Sequence, residues 1–306
     1  MSCERKTYML LVEYDGSLFH GWQRQLNAPS VQEELEKALF ALLGQHVAVT
    51  GAGRTDAGVH ALGQVCHFRC VSSIPPDRFA YALNHLLPEG VRVQRSMEVP
   101  PVFHARYWAA GKHYRYRIHL SMFPSALERQ RAWQLRPPLD FSAMERASRA
   151  FLGTHDFRGF AASGSQVKST VRTIYDIRLT RQGCDWVLDY WGNGFLYNMV
   201  RIITGTLVAV GQGKLDPEEL PGLIASGDRK AAGMTAPPQG LYLVKVFYPA
   251  MVTRFCHSKS RRLPAVICPK TKRLQRSRVC HKRGRVFVRK TGENGEKFFR
   301  QIGEIS

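Results

Sequence analysis

The stretch Gly51-Ala-Gly-Arg-Thr-Asp-Ala-Gly-Val-His60 sets one carboxylate, Asp56, between Arg54 and His60, with glycine at 51, 53 and 58. Glycine lets backbone approach a ligand closely and reach conformations closed to other residues. A carboxylate enclosed in such a turn stays ionised when a cation lies beside it. Val47 and Val49 precede the run, and Val65, His67 and Arg69 alternate with Cys66, Phe68 and Cys70 after it. The expected context is a loop between two strands, with Asp56 aimed at an anionic ligand.

Outward from that loop the pattern is regular. Tyr8–Tyr14 is rich in strand formers and stops at Asp15-Gly16, a turn pair. His20–Gln25 is a short aromatic and polar loop. Ser30 opens a helix whose apolar face is Val31, Leu35, Ala38, Leu39 and Leu42; Ser30 and Glu33 have capping-box spacing, and Gly44 ends it. Strands are expected at His46–Thr50, Gly63–Val71 and Val91–Val99, with a second helix from Pro75 to Leu87. The order β-α-β-β-α-β is the ferredoxin-like motif. Its helices cover one face of an antiparallel sheet, and RNA-recognition folds use the other face for bases.

Lys112–His119 alternates strictly, with Lys112, Tyr114, Tyr116 and Ile118 on one face and His113, Arg115, Arg117 and His119 on the other. Cations interleaved with rings suit nucleic acid, because rings stack on bases while cations meet phosphates. The plainer alternative is a half-buried strand with a solvated basic face. Farther on, a helix is expected at Phe141–Leu152, a loop at Thr154–Gly164, a hairpin from Ser169–Arg181 to Cys184–Trp191, and an apolar helix over Gly194–Val210 with Arg201 inside it. A short helix at Asp216–Ala225 and a last strand at Gly240–Tyr248 follow. The fold class expected is α+β, two ferredoxin-like (RRM-like) halves sharing a mixed, mainly antiparallel sheet. The halves are placed at 1–108 and 109–250, and 251–306 is read as an appendage.

Composition bounds the function. The 306 residues carry 44 Lys and Arg against 24 Asp and Glu, a net charge of +20. Residues 251–306 hold 16 of those cations and 3 of the acids, yet the body is basic by itself. Such an excess favours a polyanionic partner. Met1–Lys6 leads straight into a strand-like run, so no signal peptide is expected, and no apolar run approaches the roughly 20 residues of a membrane span. Seven scattered cysteines suggest reduced thiols and a cytoplasmic protein. The tail's Cys256, His257, Cys268, Cys280 and His281 lack paired C-x-x-C spacing, so its charge favours an RNA-contacting arm, disordered until RNA binds, over a zinc site. One hairpin is expected within it, Arg285–Arg289 with Lys297–Ile302.

Three constellations carry chemistry: Arg54 with Asp56, the Lys112/Tyr114/Tyr116 face, and Arg201 within Phe195–Arg201. Asp56 has three possible jobs, metal ligand, general base or nucleophile, besides closing a turn with Arg54. Metal binding wants further ligands at fixed spacing, and only His60 is near. The two arginines favour a nucleophile, since they would keep Asp56 ionised and also meet phosphate. Arg201 is unusual only in its apolar neighbours Met199, Val200, Ile202 and Ile203.

Seven blocks then stand in one order: EYDGSLFHGWQRQ (13–25), SVQEELEKAL (30–39), GRTDAGVHALGQVCHF (53–68), FHARYWAAGKHYRYRI (103–118), FLGTHDFRGF (151–160), FLYNMVRIITG (195–205) and TAPPQGLYLVKVFY (235–248). The chain from Tyr8 to Tyr248 resembles the TruA family of tRNA pseudouridine synthases. The resemblance implies an isomerase that turns uridine into pseudouridine at positions 38–40 of the tRNA anticodon stem-loop, without cofactor or metal, as a homodimer. It implies that Asp56 is the nucleophile, Tyr114 the ring that stacks on the target uracil, and Arg54 the residue linked to base flipping. It further implies that Arg201 pairs with Asp56 and that Leu241 or Leu243 forms an apolar wall. Family chains end near Tyr248, so residues 251–306 are a departure. A non-catalytic RNA binder would be expected to lack Asp56 or Tyr114, and a metal-dependent nuclease to carry clustered ligands.

Overall fold

The structure, a computed structural model, describes residues 4–162 and 167–249. The tail hairpin and the tail's Cys/His set expected from sequence lie outside these residues.

The first helix forms where local chemistry places it. In α1 (Val31–Leu43) the Ser30 hydroxyl accepts from the Glu33 amide at 3.4 Å, and Gly44 closes the helix in the left-handed region at φ 66°. Its buried stripe is Val31, Leu35, Ala38 and Leu39. The strand expected over 46–50 shrinks to β2 (Thr50–Gly51). The cause is competition for its backbone: the Val49 amide donates to Glu36 and the Val49 carbonyl accepts from Gln32, both on α1, so no ladder forms there.

In the first half, β1 (Lys6–Tyr14) lies between β3 (His60–Cys70) and β4 (Val91–Val99), antiparallel to both, and β2 pairs antiparallel with the far edge of β3. That order, β4-β1-β3-β2, is the ferredoxin-like arrangement, and α2 shrinks to Phe79–Asn84. The second half repeats the pattern. Its elements are β5 (Gly111–Leu120), α3 (Phe141–Ser148), β8 (Val171–Gln182), β9 (Asp185–Gly192), α4 (Met199–Gly211) and β10 (Leu241–Phe247), with strand order β10-β5-β9-β8. β6 (Trp133–Leu135) and β7 (Gly153–Asp156) are added strands, the latter within the segment expected as a loop, and α5 (Leu220–Ser226) precedes β10. The apolar helix starts later than expected, at Met199, because Asn198 adopts a left-handed conformation at φ 61°.

One parallel pairing joins the halves: Tyr242 and Leu243 of β10 lie beside His60 and Ala61 at the start of β3. The register of β1 against β3 slips between Val12 and Tyr14, turning Tyr14 opposite Ala61. This joint sets the site, because the Asp56 loop ends where β10 begins to pair.

The face of the first half opposite its helices is not free. The segment from Pro100 to Trp108 lies across it: Thr7 and Arg69 donate to the Pro101 carbonyl, the Ala105 amide donates to His67, and Phe103 packs edge-on to His67. The alternation on β5 resolves as a half-buried strand. Tyr116 and Ile118 are fully buried, whereas Arg115 bonds Asp189, Arg117 bonds Glu128 and His119 bonds Asp185. Most of the expected basic face is therefore tied to the protein's own carboxylates.

Candidate active site

The Asp56 loop is held from beneath by the chain that follows β1. The Trp22 amide donates to the Thr55 carbonyl, the Gly58 amide to the Phe19 carbonyl, and the Tyr14 and Thr55 hydroxyls bond at 2.7 Å. His60 bridges the loop's end to another region, with one ring nitrogen 3.1 Å from the Gly16 amide and the other 2.8 Å from the Gln130 carbonyl. Gly58 sits at φ 79°, where a side chain would be strained. The loop is thus fixed at both ends, and Asp56 projects from its middle.

Asp56 meets Arg201, 145 residues away in sequence. The guanidinium Nη1 lies 3.2 Å from the carboxylate, and the two side chains are only 19% and 14% exposed. Arg201 is itself pinned: Nη1 donates to Asn198 Oδ1 at 2.7 Å and Nε to the Ala236 carbonyl at 2.7 Å. Asn198 is the residue the sequence reading missed. Its signal was an asparagine three residues ahead of the arginine at a helix start, a residue type that tolerates the left-handed conformation.

Burial pushes the Asp56 carboxyl above the ordinary carboxylate range, by more than the charge and hydrogen bond of Arg201 pull it down. The sequence suggested two arginines around Asp56. Only Arg201 bonds it among the described residues; Arg54 lines the same cleft, but its Nε donates to Gln23 at 3.1 Å.

The cleft has a volume of about 1130 Å³. The first half lines it with Trp22, Arg54 and Asp56, the second with Lys112, Tyr114, Phe195 and Leu241. Tyr114 is buried and meets the Phe195 ring edge-on at 5.2 Å. Of the two leucines expected as a wall, Leu241 lines the cleft, while Leu243 is wholly buried and does not. Tyr116 keeps the expected face but is wholly buried and does not line the cleft, its hydroxyl donating to the Pro237 carbonyl. The outcome is a carboxylate with one cation behind it and apolar rings and a leucine before it, suited to a flat, partly apolar ligand.

Among the described residues no three His, Cys, Asp or Glu side chains come together as a metal site would require. None of their helices is long and apolar enough to cross a membrane.

A family model described as tRNA pseudouridine synthase matches residues 10–108 and 147–249. The chain is 54% identical over 239 residues to tRNA pseudouridine synthase A of Acetivibrio thermocellus, covering 78% of this chain and 98% of that one. It is 54% identical over 240 residues to tRNA pseudouridine synthase A of Ruminiclostridium cellulolyticum, with coverages of 78% and 98%. Against the protein of the same name from Geotalea daltonii the identity is 47% over 239 residues, with coverages of 78% and 98%. Matched by the family model over both halves and by near full-length relatives at such identity, the chain belongs to the TruA family of tRNA pseudouridine synthases.

Proposed function

We propose that this protein isomerises uridine to pseudouridine in tRNA, at positions 38–40 of the anticodon stem-loop, with Asp56 as the nucleophile. The observation that carries the reading is the buried ion pair of Asp56 with Arg201, facing Tyr114 and Leu241 across one cleft. Family membership supports the reaction and the tRNA substrate.

The bond between ribose C1′ and uracil N1 breaks, the uracil turns, and a new bond joins C1′ to C5. The proton on C5 leaves and N1 gains one, so product and substrate are isomers and no external group is consumed. Asp56 attacks the sugar or the base and departs when the new bond forms. A detached uracil must be kept from water, a task suited to Tyr114, Phe195 and Leu241. Extruding a base costs a few kcal/mol. Stacking on Tyr114 offsets part of it, and Arg54 at the cleft takes the vacated place in the stem. Because Asp56 acts ionised, activity falls on the acid side at a pH above the ordinary carboxylate range.

In this reading the protein works in the cytoplasm as a homodimer that holds one tRNA. The exposed Met122, Phe123 and Leu127 fit a contact with a second copy. The test is to incubate the full chain with unmodified tRNA in EDTA, then locate pseudouridine by carbodiimide treatment and reverse transcription. Product at any of the three positions supports the function. No product would overturn it, and metal-dependent strand cleavage would point to a nuclease.

A further inference from the structure

Among the described residues Lys112 is a cation of the cleft with neither a carboxylate nor a hydrogen-bond partner. It stands two residues before Tyr114 on β5, so both side chains leave the same face of the strand and line the same cleft. Its amine packs against the backbone of the Asp56 loop: a Cβ at Gly53 would run into Nζ. Glycine at 53 therefore leaves the passage this lysine occupies. No hydrogen bond or ion pair fixes the amine among the described residues, and the charged groups acting on it are Arg106 and Arg172. The neighbouring cations differ. Arg24 has Glu36 at 3.3 Å and Arg54 has Gln23, while Asp56 is already held by Arg201.

Burial and the two arginines bring the Lys112 amine down to about 8, so its charge is carried at a cost the protein does not offset internally. A lysine lining the cleft, with Arg106 and Arg172 acting on its amine and the cleft's Asp56 already paired with Arg201, is arranged for an anion supplied from outside. A phosphodiester has the charge and the acceptor oxygens, and lysine meets it as a point charge.

We propose that Lys112 anchors the RNA backbone at the active site: its ammonium binds a non-bridging oxygen of a phosphate flanking the uridine that enters beside Asp56 and Tyr114. The assignment presupposes the uridine isomerisation proposed for this cleft. The phosphate fixes where the strand bends inward, so Lys112 is a positioning residue. A different role for an amine here would be to take the C5 proton.

Three forms of the full chain separate these outcomes: wild type, Lys112→Met and Lys112→Arg, with Lys112→Gln replacing the methionine variant should that fail to fold. Each is titrated with anticodon stem-loops carrying one uncharged methylphosphonate at successive linkages around the target uridine. Wild type must first form pseudouridine on the unaltered stem-loop; failure there would refute the isomerase function itself, whatever the variants do. Given product, Lys112→Met is expected to bind about tenfold more weakly. Its log–log salt slope should be smaller by about 0.7–0.9, the share of one phosphate. At one linkage the methylphosphonate that weakens wild type should leave Lys112→Met unchanged, and Lys112→Arg should retain most of the affinity. Independent, multiplying losses at every linkage would overturn the proposal. So would unchanged affinity and slope with turnover lost in both variants, which would mark Lys112 as a proton acceptor.

Discussion

Asp56 and Asp189 belong to one sheet system and are both largely buried, yet their environments push them in opposite directions. Asp189 lies on the face of β9 away from α4. There His113 Nε2 is 2.7 Å from one of its oxygens, and Arg115 grips both oxygens at 2.9 and 3.1 Å. Three bonds outweigh desolvation, and its carboxyl is held below the ordinary range. Asp56, on the cleft side, has a single arginine, and desolvation wins. The difference is the number of partners, and it separates a carboxylate that holds strands together from one left with spare acceptor capacity for a substrate. Burial of a charge alone does not mark a reactive group; burial with too few partners does.

The strongest way to break this comparison is Asp56→Asn. Pseudouridine formation should fall below detection, at least about a thousandfold, while stem-loop affinity is retained because binding is spread over many phosphates. The folded state binds the Asp56 proton more tightly than the unfolded chain does. Between the ordinary carboxylate value and the raised one, stability therefore declines as pH rises, and ionised Asp56 is a net burden above that window. Melting of the variant at neutral pH should accordingly be no lower than that of wild type. A lower melting temperature with loss of binding would put Asp56 in the class of Asp189.

Arg201→Met comes next. It leaves Asp56 buried without its cation, a change of about 3–5 kcal/mol when a buried pair is broken from one side. Protonation of Asp56 relieves part of that. The expected result is loss of most turnover at neutral pH and an acid limb displaced further upward, read from the pH profile of pseudouridine formation. An unmoved limb would dissociate Arg201 from the carboxylate's ionisation.

On the other face, Asp189→Asn should cost about 2 kcal/mol of stability, reduced from the buried-pair figure because the Arg115 side chain is 38% exposed. Turnover at saturating tRNA should be unchanged. The sign of the pH effect is opposite to that of Asp56. The depressed carboxyl contributes stability that is present above its unfolded value and lost as pH falls through the folded one. Denaturant unfolding of wild type and variant as the solution is acidified should therefore converge.

Local signals were legible in the sequence because they act over a few residues. Ser30 and Gly44 bounded α1, and Asp15-Gly16 ended β1. Strand periodicity told that Tyr114 and Lys112 share a face, but not which of the cations had partners, since Asp185, Asp189 and Glu128 reach β5 from other segments. The shortening of the strand before Gly51 depended on Gln32 and Glu36 taking its backbone groups. Arg201 stood out by its apolar neighbours, but its pairing with Asp56 came forward only through family resemblance, because that contact exists only once β10 joins the two halves. What stayed hidden was tertiary: side chains competing for backbone, and charges meeting across more than a hundred residues.

The smallest effect sharpens the cleft side of the comparison. The Tyr114 ring is packed edge-on against Phe195, and among the described residues its hydroxyl has no hydrogen-bond partner. Burial drives that hydroxyl well above the usual phenol range, so it stays protonated wherever the enzyme works. Tyr114→Phe removes only this unused group and should leave fold and turnover within about twofold if the residue acts by stacking. Tyr114→Leu removes the flat face, and base–aromatic stacking of about 1–3 kcal/mol predicts a loss of ten- to a hundredfold. The two variants are compared by single-turnover rates at saturating stem-loop. If phenylalanine were as damaging as leucine, the hydroxyl would be a proton carrier, and the cleft would hold a second titrating group beside Asp56. If both were silent, the ring would be packing for Phe195, and the uracil would have to stack elsewhere.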